Sequence, residues 1–266
     1  DTPRKAGRWP SPGGWAAPRA PRARDRLDAY PYDWGMRHDD LEILGFAGLG
    51  DPVSSLSHLA GAAVFACLSV FLLRRGRGHD GRVVALGVFA FSCVLLLTLS
   101  GVYHLFSPGG SGRLVFQRLD HAAIFVLIAG TFTAVHGILF RGVLRWGVIA
   151  AIWAGTAAGV VLKTAYFDDV SEWFGLSLYL LFGWSGIISG LVLWSRFGWS
   201  FVRPLVWGGL AYTSGALLEF LREPLLIPGV VGSHEIFHAA VLAGVGCHWK
   251  FIHQFAGGED GGAGGA

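Results

Sequence analysis

The sequence predicts an all-α protein, a seven-transmembrane helix bundle. Three observations carry that prediction: the scarcity of charge, the number of long apolar runs, and their spacing by short polar connections. Of 266 residues, 53% are hydrophobic and 15% are charged, whereas an ordinary globular domain carries roughly 25% charged residues. The deficit is local. Residues 1–52 hold 8 of the 21 Lys and Arg and 8 of the 18 Asp and Glu, so the remaining 214 positions hold only 13 and 10. Such a body cannot be a disordered, collagenous or disulfide-stapled chain, and it has no basic stripe for nucleic acid. Cys67, Cys93 and Cys247 fall within apolar runs and outside any CxxC pair, and are read as small core residues.

A membrane-crossing helix needs about 20 apolar residues. Seven stretches meet this: Val53–Leu73, Val83–Phe106, Leu119–Phe140, Leu144–Phe167, Trp173–Trp194, Phe201–Phe220 and Ser233–Phe255. Charge collects in the connections, as in RRGRGHDGR after the first span. Three segments follow: an Arg- and Pro-rich tail (residues 1–50) and a Gly-rich tail (257–266), both expected to be disordered, around a spanning domain (51–256). No apolar segment precedes Val53, so the first span is expected to act as its own insertion signal. Met36 is the only methionine, which makes residues 1–35 candidates for over-called upstream translation. Lys and Arg close to the spans lean by number towards an N-terminus outside.

Ionisable groups inside spans are costly and mark a functional site. Here they share one layer. His104 ends span two, with Ser100 one turn before it; Asp120 and His121 open span three; Glu219 closes span six; His234, Glu235 and His238 open span seven. An alternating path brings these ends to one side, and His58 of span one joins them. His234 and His238, four apart, present both rings on one helix face. His104 supplies a third nitrogen, leaving the fourth position of a tetrahedral Zn²⁺ open to water. Ser100 and Asp120 are placed to hydrogen-bond that water, with Asp120 as proton acceptor. The bland alternatives are interhelical hydrogen bonds for the histidines, a pairing with Arg118 or His121 or a helix cap for Asp120, and a bond to its own helix for Ser100. His234-Glu235-Ile236-Phe237-His238 also satisfies HExxH, the pattern of zinc proteases with a glutamate base. An intramembrane protease of that type would also carry an Asn-Pro-Asp-Gly-like motif, and this chain has no Asn. His121, His136, His248 and His253 are read as structural.

Four separated motifs, DPVSSLSHLAG, SGVYHLF, RLDHAAIFVLIAGTFT and SHEIFHAAVLAGVGCHW, resemble in order those of the hemolysin III and progestin/adipoQ receptor family of seven-helix membrane proteins. The resemblance runs from about Asp51 to His253. It implies an adiponectin-receptor-like, hemolysin III-like bundle, zinc held by His104, His234 and His238, and Ser100 and Asp120 beside the bound water. It also implies a cytoplasmic N-terminus, here taken over the charge count, in a bacterial inner membrane. The wider superfamily includes alkaline ceramidases, so hydrolysis of a lipid amide or ester is the leading expectation, with a membrane lipid as partner. The competing expectation is a non-enzymatic receptor or cytolysin in which zinc is structural.

Overall fold

The computed structural model describes residues 50–258 except 108, 228 and 229; the two tails expected to be disordered lie outside the described residues apart from Gly50, Gly257 and Gly258. Among the described residues there are eight α-helices: α1 (Pro52–Arg75), α2 (Asp80–Leu105), α3 (Ser111–Leu139), α4 (Gly142–Ala165), α5 (Glu172–Trp184), α6 (Ile187–Phe197), α7 (Trp199–Leu221) and α8 (Ser233–Phe255). A 3₁₀ turn, Phe167–Asp169, joins α4 to α5. Among the described residues the only extended pairing is one isolated bridge, Ile227 with Val231. The first four helices and the α5–α6 stretch are each long and apolar enough to cross a membrane. Helices α7 and α8, each 23 residues, have the length to do the same.

Sequence neighbours pack side by side: α1 on α2, α2 on α3, α3 on α4, and α7 on α8, while α1 also meets α8 and closes the ring. Helix α3 is the most enclosed, with 67% of its most apolar window buried against 6% for the α5–α6 stretch. The core is filled by Leu86, Phe89 and Leu97 of α2, Leu139 of α3, and Val245, Phe251 and Ile252 of α8. The outward faces are as apolar as the interior: Val143, Leu181 and Ile188 are 84%, 71% and 71% exposed. Such a surface suits hydrocarbon rather than water.

Three features depart from the sequence reading. The fifth span is two helices. It breaks in Gly183-Trp184-Ser185-Gly186, where the Ser185 hydroxyl donates to the Phe182 carbonyl and the Gly186 amide donates to Gly183 rather than four residues back. Gly and Ser together are a recognised cause of such breaks. A Cβ at Gly186 would lie 3.0 Å from the Phe132 ring, whereas one at Gly183 would meet open space. Helix α3 starts at Ser111 rather than Leu119, so Asp120 lies over two turns inside the helix and is no N-cap. Cys67 is on the exposed side of α1, whereas Cys93 is a core residue.

Candidate metal centre

One end of the bundle gathers the polar residues. His104 is in the last turn of α2, and His234 and His238 are in the first two turns of α8. Their rings form a near-equilateral triangle, with centroids 4.8 Å apart for His104–His234, 4.7 Å for His104–His238 and 4.6 Å for His234–His238. One ligand atom from each lies within 4.8 Å of the others, a set that can hold a metal ion. The Gly101 position lets α1 approach α2 one turn before His104, since a Cβ there would meet the Leu59 backbone nitrogen at 3.1 Å.

Hydrogen bonds fix which nitrogens face inward. His104 Nδ1 donates to Asp51 Oδ2 at 2.7 Å, and His234 Nδ1 donates to Glu219 Oε1 at 2.9 Å. Each ring therefore turns Nε2 to the centre, and the two Nε2 atoms are 3.2 Å apart. Two lone pairs can face each other at that distance only with a proton or a cation between them. Tetrahedral zinc with bonds of about 2.0–2.1 Å would hold two nitrogens about 3.3 Å apart, so the donor set fits such an ion. Carboxylates behind ligating histidines are the usual means of setting their tautomer.

The third ring is held differently. His238 is buried and stacks on His58, with centroids 3.9 Å apart, and His58 Nε2 donates to the His238 carbonyl at 3.3 Å. His58 thus braces the backbone of His238. Asp120 lies close enough to His234 for their charges to interact, and Ser100 is a polar neighbour of it. It does not pair with Arg118, which donates to Asp168 at 2.7 Å and to the Thr164 carbonyl. His121 donates Nδ1 to the Gln117 carbonyl of its own helix.

Glu235 caps its helix. Its Oε2 accepts the Gly232 amide at 2.8 Å and its Oε1 accepts the Ser54 hydroxyl at 3.0 Å. Both oxygens are engaged away from the histidine triangle, which leaves the HExxH reading without a free base.

Sequence reasoning missed Asp51 and gave Glu219 little weight. Asp51 is 4% exposed and also accepts from Arg113 at 3.0 Å. Burial by itself would raise the Asp51 carboxyl, but the His104 and Arg113 contacts outweigh it and hold it below the usual carboxylate range. The available signal was the Asp-Pro pair at the start of the first motif, which reads as a helix start and says nothing of a partner 53 positions on.

An all-helical membrane bundle with a partly buried histidine triangle at one end defines the class of this protein, an integral multi-pass membrane protein. Residues 47–249 match the Haemolysin-III related family. The chain is similar to Hemolysin-3 of Bacillus cereus, 31% identical over 193 residues, 72% of this chain and 84% of that protein. It is also similar to a Hemolysin-3 homolog of Bacillus subtilis (27% identical; 66% of this chain, 78% of that one) and to an adiponectin receptor protein of Drosophila melanogaster (26%; 75% and 49%). The chain belongs to the haemolysin-III related family, which also contains the resemblance read from the four motifs.

Proposed function

We propose that this chain is a zinc-dependent hydrolase of a lipid amide or ester, with zinc held by His104, His234 and His238. The observation that carries the reading is the pair of carboxylate-backed Nε2 atoms 3.2 Å apart, with the Asp120–Ser100 pair beside them. When bound, zinc supplies Lewis acidity, which lowers the pKa of water and polarises a carbonyl. Asp120 takes the proton from the attacking water and returns it to the leaving amine or alcohol as the acyl bond breaks, giving a fatty acid and a free amine or alcohol. Ser100, a polar neighbour of Asp120, is assigned the task of orienting its carboxyl. The apolar outer wall admits the acyl chain from the bilayer. The N-terminus is assigned to the cytoplasmic side of a bacterial inner membrane.

One observation favours a second reading, in which zinc is structural in a receptor or cytolysin. Helix α2 packs mainly on α1 and α3, and α8 mainly on α7, so the histidines would also staple two parts of the ring. One experiment separates the two. Metal content of detergent-purified protein is measured beside product release from a mixture of lipid amides and esters, for the wild type and Asp120→Asn. The hydrolase reading expects Asp120→Asn to retain zinc and fold and to lose turnover by two or more orders of magnitude, the usual scale for acid–base groups, ~10²–10⁴. Absence of turnover in zinc-loaded wild type, or full turnover in Asp120→Asn, refutes it.

A further inference from the structure

We infer that Asp51, a residue just outside the first span, is the positioning residue that makes His104 a metal ligand. The inference rests on the reading of the triangle as a metal site. A neutral imidazole carries one proton, and whichever nitrogen holds it cannot ligate. By accepting from His104 Nδ1 at 2.7 Å, Asp51 holds the proton on the outer nitrogen and leaves the Nε2 lone pair facing His234.

Asp51 is itself fixed from several directions. Its amide donates to the His104 carbonyl at 3.0 Å, and the Gly50 amide donates to the Leu105 carbonyl at 3.3 Å. Its own carbonyl accepts the Ser55 amide at 2.9 Å, in the first turn of α1. Residue 51 is thus bound to residue 104 through both its main chain and its side chain. Arg113 donates to the same Oδ2 at 3.0 Å and lies over the Tyr103 ring at 4.7 Å. The Asp51 carboxylate is thus held between His104 and Arg113. The Asp51–His104 pair is also far better shielded than its counterpart, with side chains 6% and 3% exposed against 32% and 33% for Glu219 and His234. An interaction weakened less by water contributes more.

The test is zinc affinity of the full chain in detergent, measured by competition with a chromophoric chelator, for the wild type, Asp51→Asn and Asp51→Glu. Unfolding of each metal-free protein is recorded in parallel. Asp51→Asn is expected to weaken zinc about 10- to 100-fold, the range for groups behind metal-ligating histidines, with the metal-free unfolding midpoint unchanged. Asp51→Glu restores the charge and recovers part of the loss. Wild-type affinity in Asp51→Asn, or a loss of metal-free stability without a loss of affinity, overturns the inference and leaves the metal reading intact. A wild type that binds no zinc overturns the metal reading itself. Should Asp51→Asn not fold, ¹⁵N-histidine spectra of the native protein decide the matter. His104 must carry its proton on Nδ1, and a proton on Nε2 alone overturns the assignment.

Discussion

The contact between α2 and α3 sets the relation between His104 and Asp120, and Gly130→Ala tests it. A Cβ at Gly130 would lie 2.1 Å from Ser92 Oγ, 2.9 Å from Ser92 Cβ and 3.3 Å from Phe89 Cα. Rotating Ser92 relieves only the first clash and breaks its bond to the Phe89 carbonyl, 2.7 Å long. The Cβ–Cβ contact remains, so the helices must part by close to 1 Å along a face where Ser92 is 1% exposed. Overpacking of this kind costs about 1–3 kcal/mol. At roughly 2–4 °C per kcal/mol for a chain of this size, the melting point should fall by about 2–12 °C. Ser92→Gly removes both clashing atoms at a cost of about 0.5 kcal/mol in helix propensity. The double variant should therefore be more stable than the sum of the single changes by most of the overpacking cost. The assay is thermal unfolding in detergent, read by tryptophan fluorescence, with zinc content measured in the same samples. A Gly130→Ala protein as stable as wild type, or strictly additive effects in the double variant, would show that the two helices are not in the described register.

Two further outcomes are expected. Glu219→Ala removes the carboxylate behind His234 and should weaken zinc about 10-fold, the lower end of the usual range, because that pair is about one-third exposed; chelator competition reads it, and wild-type affinity would remove Glu219 from the site. Glu235→Gln keeps the helix cap, since Gln serves at that position as Glu does; its amide NH2 then donates to the Ser54 hydroxyl in place of accepting from it, and a charge near the helix start worth about 0.3–1 kcal/mol is lost. Zinc content and lipid hydrolysis should be unchanged, and a dead but zinc-loaded Glu235→Gln protein would reinstate the glutamate base.

Periodicity along the chain made some of this legible and tertiary contact made the rest. The apolar runs announced the bundle because helix-spanning length is a property of consecutive residues. The His234–His238 spacing announced a shared face because four residues is close to one helical turn. Three features escaped a reading by apolar spans. Asp51 meets His104 only because α1 begins where α2 ends. The break between α5 and α6 sits in Gly183-Trp184-Ser185-Gly186, four residues whose effect on the hydrogen-bond ladder is hidden by apolar flanks that keep the mean hydropathy of the stretch high. The start of α3 at Ser111 was hidden because residues 111–118, with Arg113 and Arg118, are too polar for a spanning window although their backbone is helical. Glu219 was visible, but a carboxylate at a span end looks the same whether it faces water or a histidine.

The backbone rungs from Gly50 and Asp51 to Leu105 and His104 give the centre a mechanical handle. A shift of the start of α1 would therefore be passed to the final turn of α2, tilting the His104 imidazole through both its carbonyl and its ring.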